Sequence, residues 1–322
     1  MSWSLTQGMN YPSYITLNQS GELEERIDRA YNLLESCTVC PRKCRVNRLD
    51  DERGFCRTGL LPVISSSGPH FGEEPPLVGF NGSGTIFITH CNLACQFCQN
   101  YDISQCGNGE PVSCEKLAGI MICLQKQGCH NINLVTPTHI VPQILKSLKI
   151  AIQEGLRIPV VYNSGGYDAV DTLRLLDGIV DIYMPDAKYG SDDIAIALSH
   201  APDYVAIMKA GITEMHRQVG DLVIDKKGIA MHGMIIRHLV LPENLAGSDS
   251  VLPWIAQEIS RDSYVNIMNQ YHPSWHTSSN RKSLLPPSLC RRITSNEYHF
   301  AIQCALESGL HRGFCESNST LR

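Results

Sequence analysis

The sequence predicts an α/β protein built on a parallel sheet. β-rich runs alternate with helix-patterned segments through the middle of the chain, which is the pattern of successive βα units. The runs end in polar, glycine or proline residues, as strands do where loops carry a site. With 322 residues, 43% hydrophobic and 18% charged, the chain can bury a large core.

Six strands are expected: TIFIT (85–89), INLVT (132–136), PVVYN (159–163), VDIYM (180–184), GMIIRHLVL (233–241) and VNIM (265–268). The helical candidates between them span 113–128, 138–155, 168–178, 191–201 and 203–220, with another at 249–261. LAGIMICLQ repeats apolar residues at helical spacing, and DTLRLLDG stops at a glycine that suits a helix end. Near the C-terminus, RITSNEYHFAIQCALESG reads as an amphipathic helix with Ser295 as N-cap and Gly309 as terminator. SWHTSSNRKSLLPPS before it reads as a polar loop, and CESNSTLR after it is expected to fray. The strand ends THCN, TPTH, NSGGY, MPDAK, LPEN and NQYHP fall in register, so they predict one shared site on one rim.

A net charge of −5 gives no global field for nucleic acid or an anionic membrane. No basic, apolar leader and no long apolar stretch is seen, so the expected location is cytoplasmic, with neither nucleic acid nor membrane as partner. Fourteen cysteines are many for a reducing compartment, where disulfides do not serve as staples. Some should therefore be metal ligands. Cys114, Cys123, Cys129, Cys290, Cys304 and Cys315 are scattered and read as buried or incidental thiols.

Cys91, Cys95 and Cys98 form C-x3-C-x2-C at the end of the first strand. Three thiolates can hold three corners of a 4Fe-4S cubane and leave one iron open. Zinc is the alternative, with His90 or Cys106 as fourth ligand. Cys37, Cys40, Cys44 and Cys56 form a second set, C-x2-C-x3-C-x11-C, with four thiolates. That is enough to close a structural zinc site or a complete auxiliary iron-sulfur cluster, unless the thiols stay free of metal. Arg42, Lys43 and Arg45 would offset the charge of a thiolate cluster.

CNLACQFC resembles the signature loop of the radical S-adenosylmethionine (SAM) superfamily. More closely, CNLACQFCQNYDISQ, NINLVTPTHIVPQI, VVYNSGGYDAVDTLRLLDGIVDIYMPDAKY and IIRHLVLP resemble a branch of pyruvate formate-lyase activating enzyme-like iron-sulfur proteins. The resemblance runs from about residue 37 to 300 and includes CTVCPRKCRVNR. It implies a partial (β/α)6 barrel with an N-terminal Cys-rich metal-binding element and a C-terminal helix. The expected divisions are 1–80, 81–275 and 276–322.

The resemblance also implies that Cys91, Cys95 and Cys98 ligate the cluster while SAM chelates the open iron. SAM cleavage would then yield a 5′-deoxyadenosyl radical that abstracts hydrogen from a substrate. Phe97 would flank the adenine, Asn163 and Ser164 would lie near the methionine moiety, and Met184, Asp186 and Lys188 would face the SAM carboxylate and a monovalent cation. His272 would touch SAM. TPTH lacks the acidic residue that the activating enzymes place there, so Thr136, Thr138 or a water would substitute. Arg237 and His238 alternate, one inward and one outward, and Arg237 would pair with a carboxylate of SAM or substrate, or form a salt bridge within the barrel. The implied partners are a flavodoxin-like or ferredoxin-like low-potential electron donor and either a protein substrate, activated at a glycyl radical, or a small molecule or peptide. A non-catalytic iron-sulfur or zinc protein is the alternative class.

Overall fold

The computed structural model describes residues 12–273 and 286–313. Most of the loop SWHTSSNRKSLLPPS, Cys315 and the tail CESNSTLR lie outside the described residues. Two helices come first, α1 (Tyr14–Ser20) and α2 (Glu22–Asn32). They dock on the sheet's outer layer: Ser13 N–H donates to Asp181 Oδ1 at 3.1 Å and Tyr14 OH to the Ile158 carbonyl at 2.7 Å.

β1 (Val63–His70), a short α3 (Pro75–Val78) and β2 (Ser83–Ile88) follow, with β1 antiparallel to β2. After α4 (Tyr101–Ser104) and the two-residue β3 (Glu110–Pro111), which pairs with β1, the βα alternation begins. It runs through α5 (Cys114–Lys126), β4 (Ile132–Val135), α6 (Val141–Gln153), β5 (Val160–Ser164), α7 (Val170–Arg174), β6 (Ile182–Pro185), α8 (Asp192–Ser199) and α9 (Tyr204–Val219). The antiparallel β7 (Val223–Ile224), the long β8 (Ala230–Leu239), α10 (Ser248–Trp254), β9 (Tyr264–Met268) and α11 (Ser295–Glu307) complete it.

The six expected strands are β2, β4, β5, β6, β8 and β9, neighbours in that order and all parallel. No pairing joins β9 to β2 among the described residues, so the sheet is mixed and incompletely closed. Strand alternation divides its two faces. Outward residues such as Ile86, Leu134, Tyr162, Tyr183 and Ile236 pack under Leu117 and Met121 of α5, Leu145 and Leu148 of α6, and Met208 and Ile212 of α9. Inward residues Val161, Ile182, Met184 and Ile235 form a smaller apolar cluster with Leu77 of α3. Asn133, Asn163, Arg237 and Asn266 are the inward polar residues, at alternate positions on their strands.

Three helices differ from expectation. The segment 168–178 is helical only over α7, because it closes through tight turns onto Gly178 at φ 70°. The helix expected at 249–261 begins as α10 and widens into a π turn at Ile255–Ile259, next to Pro253, which cannot donate within a helix. The N-cap of α11 is Thr294, not Ser295: a capping box needs an acidic residue three positions on, and Glu297 stands there. Glu297 Oε2 accepts the Thr294 N–H at 2.6 Å, and Thr294 Oγ1 accepts the Glu297 N–H at 3.2 Å.

Candidate functional site

β2 hands the chain to the cysteine loop through His90, whose backbone takes a left-handed φ of 70°. Thr136, the residue after β4, does the same at φ 64°. β-branched residues rarely adopt that conformation, and such strain collects at sites that the surrounding structure holds firmly. The loop is held by backbone bonds to the end of α8, Ala94 N–H to Ser199 O at 3.0 Å and Gln96 N–H to Leu198 O at 2.8 Å.

Each of the three thiols has a local donor or hydroxyl partner. Leu93 N–H reaches Cys91 Sγ at 3.3 Å, Ser199 Oγ donates to Cys95 Sγ at 2.9 Å, and Cys98 Sγ lies 3.1 Å from Ser104 Oγ. Burial raises the Cys91 pKa, and the neighbouring Cys95 and Cys98 raise it further; Lys188 pulls it down. Burial likewise raises Cys95, against the ammonium of Lys188. Cys91 and Cys95 thus share the ammonium of Lys188 as a neighbouring charge. Cys106 is exposed, and His90 keeps a buried Nδ1 without a hydrogen bond.

Asp186, Lys188, Asn163 and Arg237 come together beside this loop. Lys188 Nζ pairs with Asp186 Oδ2, Arg237 Nε donates to Asp186 Oδ1 at 2.7 Å, and Arg237 Nη2 donates to Asn163 Oδ1 at 2.7 Å. Burial alone would raise the Asp186 carboxyl, but Arg237 and Lys188 together hold it below its usual range. The carboxylate that Arg237 meets is therefore a protein one. His238 faces the other side of β8, where Ala187 O accepts from Nδ1–H at 2.7 Å and Nε2 faces Ser248 Oγ at 2.9 Å.

A residue that sequence reasoning passed over sits between the β4 and β5 ends. Asp168, fully buried, accepts from Thr138 Oγ1 at 2.6 Å, Ser164 Oγ at 2.7 Å and Tyr162 OH at 3.0 Å. A carboxylate thus reaches the acid-free TPTH segment from the neighbouring loop. Its one sequence signal was position, four residues past Ser164 in NSGGYD. Phe97 is buried edge-to-face against Tyr271 and Tyr189, with centroids 5.9 and 6.5 Å away. Met184 is buried in the inner apolar cluster. His272 is exposed, its Nδ1 3.2 Å from the Gln270 carbonyl of its own loop.

The second cysteine set is also drawn together. Burial pushes the Cys40 thiol up to about 12; the Arg42 amide opposes this, while Cys56, Cys37 and Cys44 add to it. Cys44 Sγ accepts the Phe55 N–H at 3.4 Å, and a side chain at Gly54 would come within 2.7 Å of that sulfur, so only glycine lets the loop close there. Behind Cys37 lies Arg48, 1% exposed, which donates to Gly59 O at 3.0 and 3.1 Å and to His139 O at 2.7 Å. This buried guanidinium, which sequence reasoning did not single out, also lowers the Cys56 pKa against the effect of burial. Arg42 instead leaves the set: Nε donates to Asn92 O at 2.8 Å, and the guanidinium lies 3.7 Å from the Phe55 ring centroid and 5.2 Å from that of Tyr167.

Soft thiol donors in one buried or half-buried group suit an iron-sulfur cluster, and a neighbouring cation suits its negative charge. Among the described residues, no three His, Cys, Asp or Glu side chains are placed so that they could hold a single metal ion. Nor is any described helix long and apolar enough to cross a membrane.

The model of the radical SAM superfamily matches residues 85–227, from β2 through β7. "Uncharacterized protein MJ0674" of Methanocaldococcus jannaschii is 33% identical over 293 residues, covering 88% of this chain and 78% of that protein. Among solved structures, the FeFe-hydrogenase maturase HydG from Carboxydothermus hydrogenoformans aligns with a TM-score of 0.42 and 12% identity, over 69% of this chain and 49% of that one. The chain spans about half the length of that maturase.

Proposed function

The chain belongs to the radical SAM superfamily, and from that premise we propose that it is an enzyme of the pyruvate formate-lyase activating type. Cys91, Cys95 and Cys98 would ligate a 4Fe-4S cluster. When bound, such a cluster supplies the electron that cleaves SAM and so provides a 5′-deoxyadenosyl radical for hydrogen abstraction. The observation that carries the reading is that Cys91 and Cys95 of the three-cysteine loop lie beside the ammonium of Lys188, which is paired with Asp186, itself bonded to Arg237.

In this reading Lys188 provides the cationic side of the site for a carboxylate, and Asp186, held by Arg237, the anionic side for an ammonium or a monovalent cation. Because Arg237 already fixes Asp186 and Asn163, these groups are oriented before ligand arrives. Ser164 and Thr138 are positioned through Asp168. Phe97, packed on Tyr271 and Tyr189, forms the wall that excludes water from the loop, and the exposed His272 would close over ligand from the rim. The four-cysteine element would hold an auxiliary iron-sulfur cluster, and the electron donor would be flavodoxin-like or ferredoxin-like.

The test is anaerobic reconstitution with iron and sulfide, followed by SAM and dithionite. 5′-Deoxyadenosine should form in the native chain and fall to background in Cys95→Ala. Equal yields from the two fully loaded proteins would end the reading.

A further inference from the structure

The four-cysteine element meets solvent on one side, and that side is cationic. Residues 41–57 hold six Lys or Arg and three Asp or Glu, on a chain whose net charge is −5. The three acids are already engaged: Asp50 Oδ2 accepts from Asn47 Nδ2 at 2.7 Å, Asp51 pairs with Arg53 at 2.9 Å and accepts the Leu60 N–H at 3.1 Å, and Glu52 accepts the Asn47 N–H at 2.6 Å. Lys43, Arg45 and Arg57 are exposed. Among the described residues Lys43 and Arg45 have no ion-pair partner, and Arg57 gives one N–H to a carbonyl, Gln105 O at 2.9 Å. All three have left-handed backbones, with φ of 42°, 62° and 54°. That conformation favours Gly, Asn and Asp, so three long cations there are not what the turns themselves require.

These charges border the least buried thiol of the set. Cys37, Cys40 and Cys56 are buried, whereas Cys44, between Lys43 and Arg45, is half-buried. Phe55, whose N–H Cys44 accepts, is 39% exposed and carries the Arg42 guanidinium on its ring. Arg57 N–H donates to Gly54 O at 3.0 Å and so closes the same turn. Arg57 also reaches the other cysteine loop: its acceptor Gln105 donates from Nε2 to Leu93 O at 3.1 Å, and Arg57 and Arg53 are charged neighbours of His90, the residue before Cys91. An exposed aromatic ring with a charged border has the make-up of a docking surface, in which the ring is desolvated and the charges steer the approach.

We propose that this face docks an acidic, low-potential electron-carrier protein. Carboxylates of the carrier pair with Lys43, Arg45 and Arg57, the ring of Phe55 is covered at the centre, and the carrier's redox group is brought to the side on which Cys44 approaches the surface. One electron leaves the reduced carrier and is taken up by this chain's iron-sulfur centre, with no bond made or broken. What favours a carrier over another polyanion is that the cations gather around the turns of both cysteine sets. The inference deepens the enzyme reading by placing its electron donor, and rests on that reading for the electron's destination but not for the binding.

The test uses the reconstituted full chain without SAM or dithionite, and a purified acidic two-iron ferredoxin as the probe. Binding is followed by titration calorimetry at low and at near-physiological salt. Saturable binding is expected, weaker by at least about tenfold at the higher salt, where exposed charges are screened. Lys43→Asp with Arg45→Asp, which keeps residues that accept the left-handed backbone, should weaken it by at least about tenfold. Lys226→Asp with Lys227→Asp, the same change of charge in the exposed turn between β7 and β8, should leave it unchanged. Arg57→Asn serves as the second variant if the Asp pair lowers Tm or iron content, and should weaken binding about threefold or more. No saturable binding to the native chain, equal weakening by the two Asp pairs, or native-like binding in the folded charge variant would each overturn the docking face. An RNA oligonucleotide or vesicles of anionic phospholipid that bound as tightly, with the same loss in the variant, would overturn the carrier and assign the face to that partner. Failure here leaves dithionite-driven 5′-deoxyadenosine formation untouched, and absence of SAM cleavage leaves ferredoxin binding untouched, so the two ideas fail separately.

Discussion

Cys37, Cys40 and Cys56 are buried, with the guanidinium of Arg48 behind them and glycine needed at position 54 to let the loop close on Cys44. Cys91, Cys95 and Cys98 are only partly buried, at the end of a strand, with their cation, Lys188, on a different strand's end. In the first region Arg42 and Arg48 are engaged with backbone carbonyls, and Arg42 with aromatic rings as well. In the second, Lys188 is paired with the side chain of Asp186, which Arg237 also holds. The same side chain is therefore packed into the fold in one place and left partly exposed in the other.

The sharpest way to break that contrast is to exchange the damage. Cys95→Ala should abolish SAM cleavage, a loss of about three orders of magnitude or more given the size of cofactor-dependent rate enhancements, while Tm stays near native. Cys40→Ala should lower Tm by many degrees if the element holds metal, because such binding energy is folding energy. Measuring 5′-deoxyadenosine and Tm on both variants decides it, and parallel losses in both would erase the distinction.

Arg48→Leu probes the buried side alone. It strips partners from the carbonyls of Gly59 and His139 at once, and with about 1–3 kcal/mol for each unpaired group the expected loss is about 3–4 kcal/mol. Urea unfolding with an unchanged m-value would register it; a loss under about 1 kcal/mol would mean that the guanidinium is dispensable to the packing.

The smallest effect is pH-linked and lies behind the open site. Burial holds His238 neutral, its pKa down at about 4, against about 6.5 in the unfolded chain. The unfolded state therefore binds the proton first. The stability from His238 is complete above about pH 6.5 and is lost as pH falls towards about 4, at about 1.4 kcal/mol per pH unit. In His238→Asn the acid limb of stability should be shallower by that slope, measured by denaturant titration between pH 4 and 7; identical limbs would show that His238 protonates without cost.

The strand core was readable because outward residues such as Ile86, Leu134 and Tyr162 alternate with inward ones, and helix-period segments separate them. β1 escaped because SSSGPH carries almost no apolar alternation and gains its place only by pairing with β2. Arg48 escaped for a different reason: in RKCRVNRLDDER it looks like one more surface charge, and its acceptors lie 11 and 91 residues away. The three-cysteine loop was legible because its spacing is local. What surrounds it was legible only in part, because Asp168, Arg237 and Lys188 meet through tertiary structure.

Arg42 leaves the first cysteine region to bond Asn92, the residue directly after Cys91, and is flanked by rings from both regions, Phe55 and Tyr167. The two loops are consequently one mechanical joint. If each loop held a ligand, the free energy by which either favoured the other would be the same in both directions, so the order of filling would change the route but not the total.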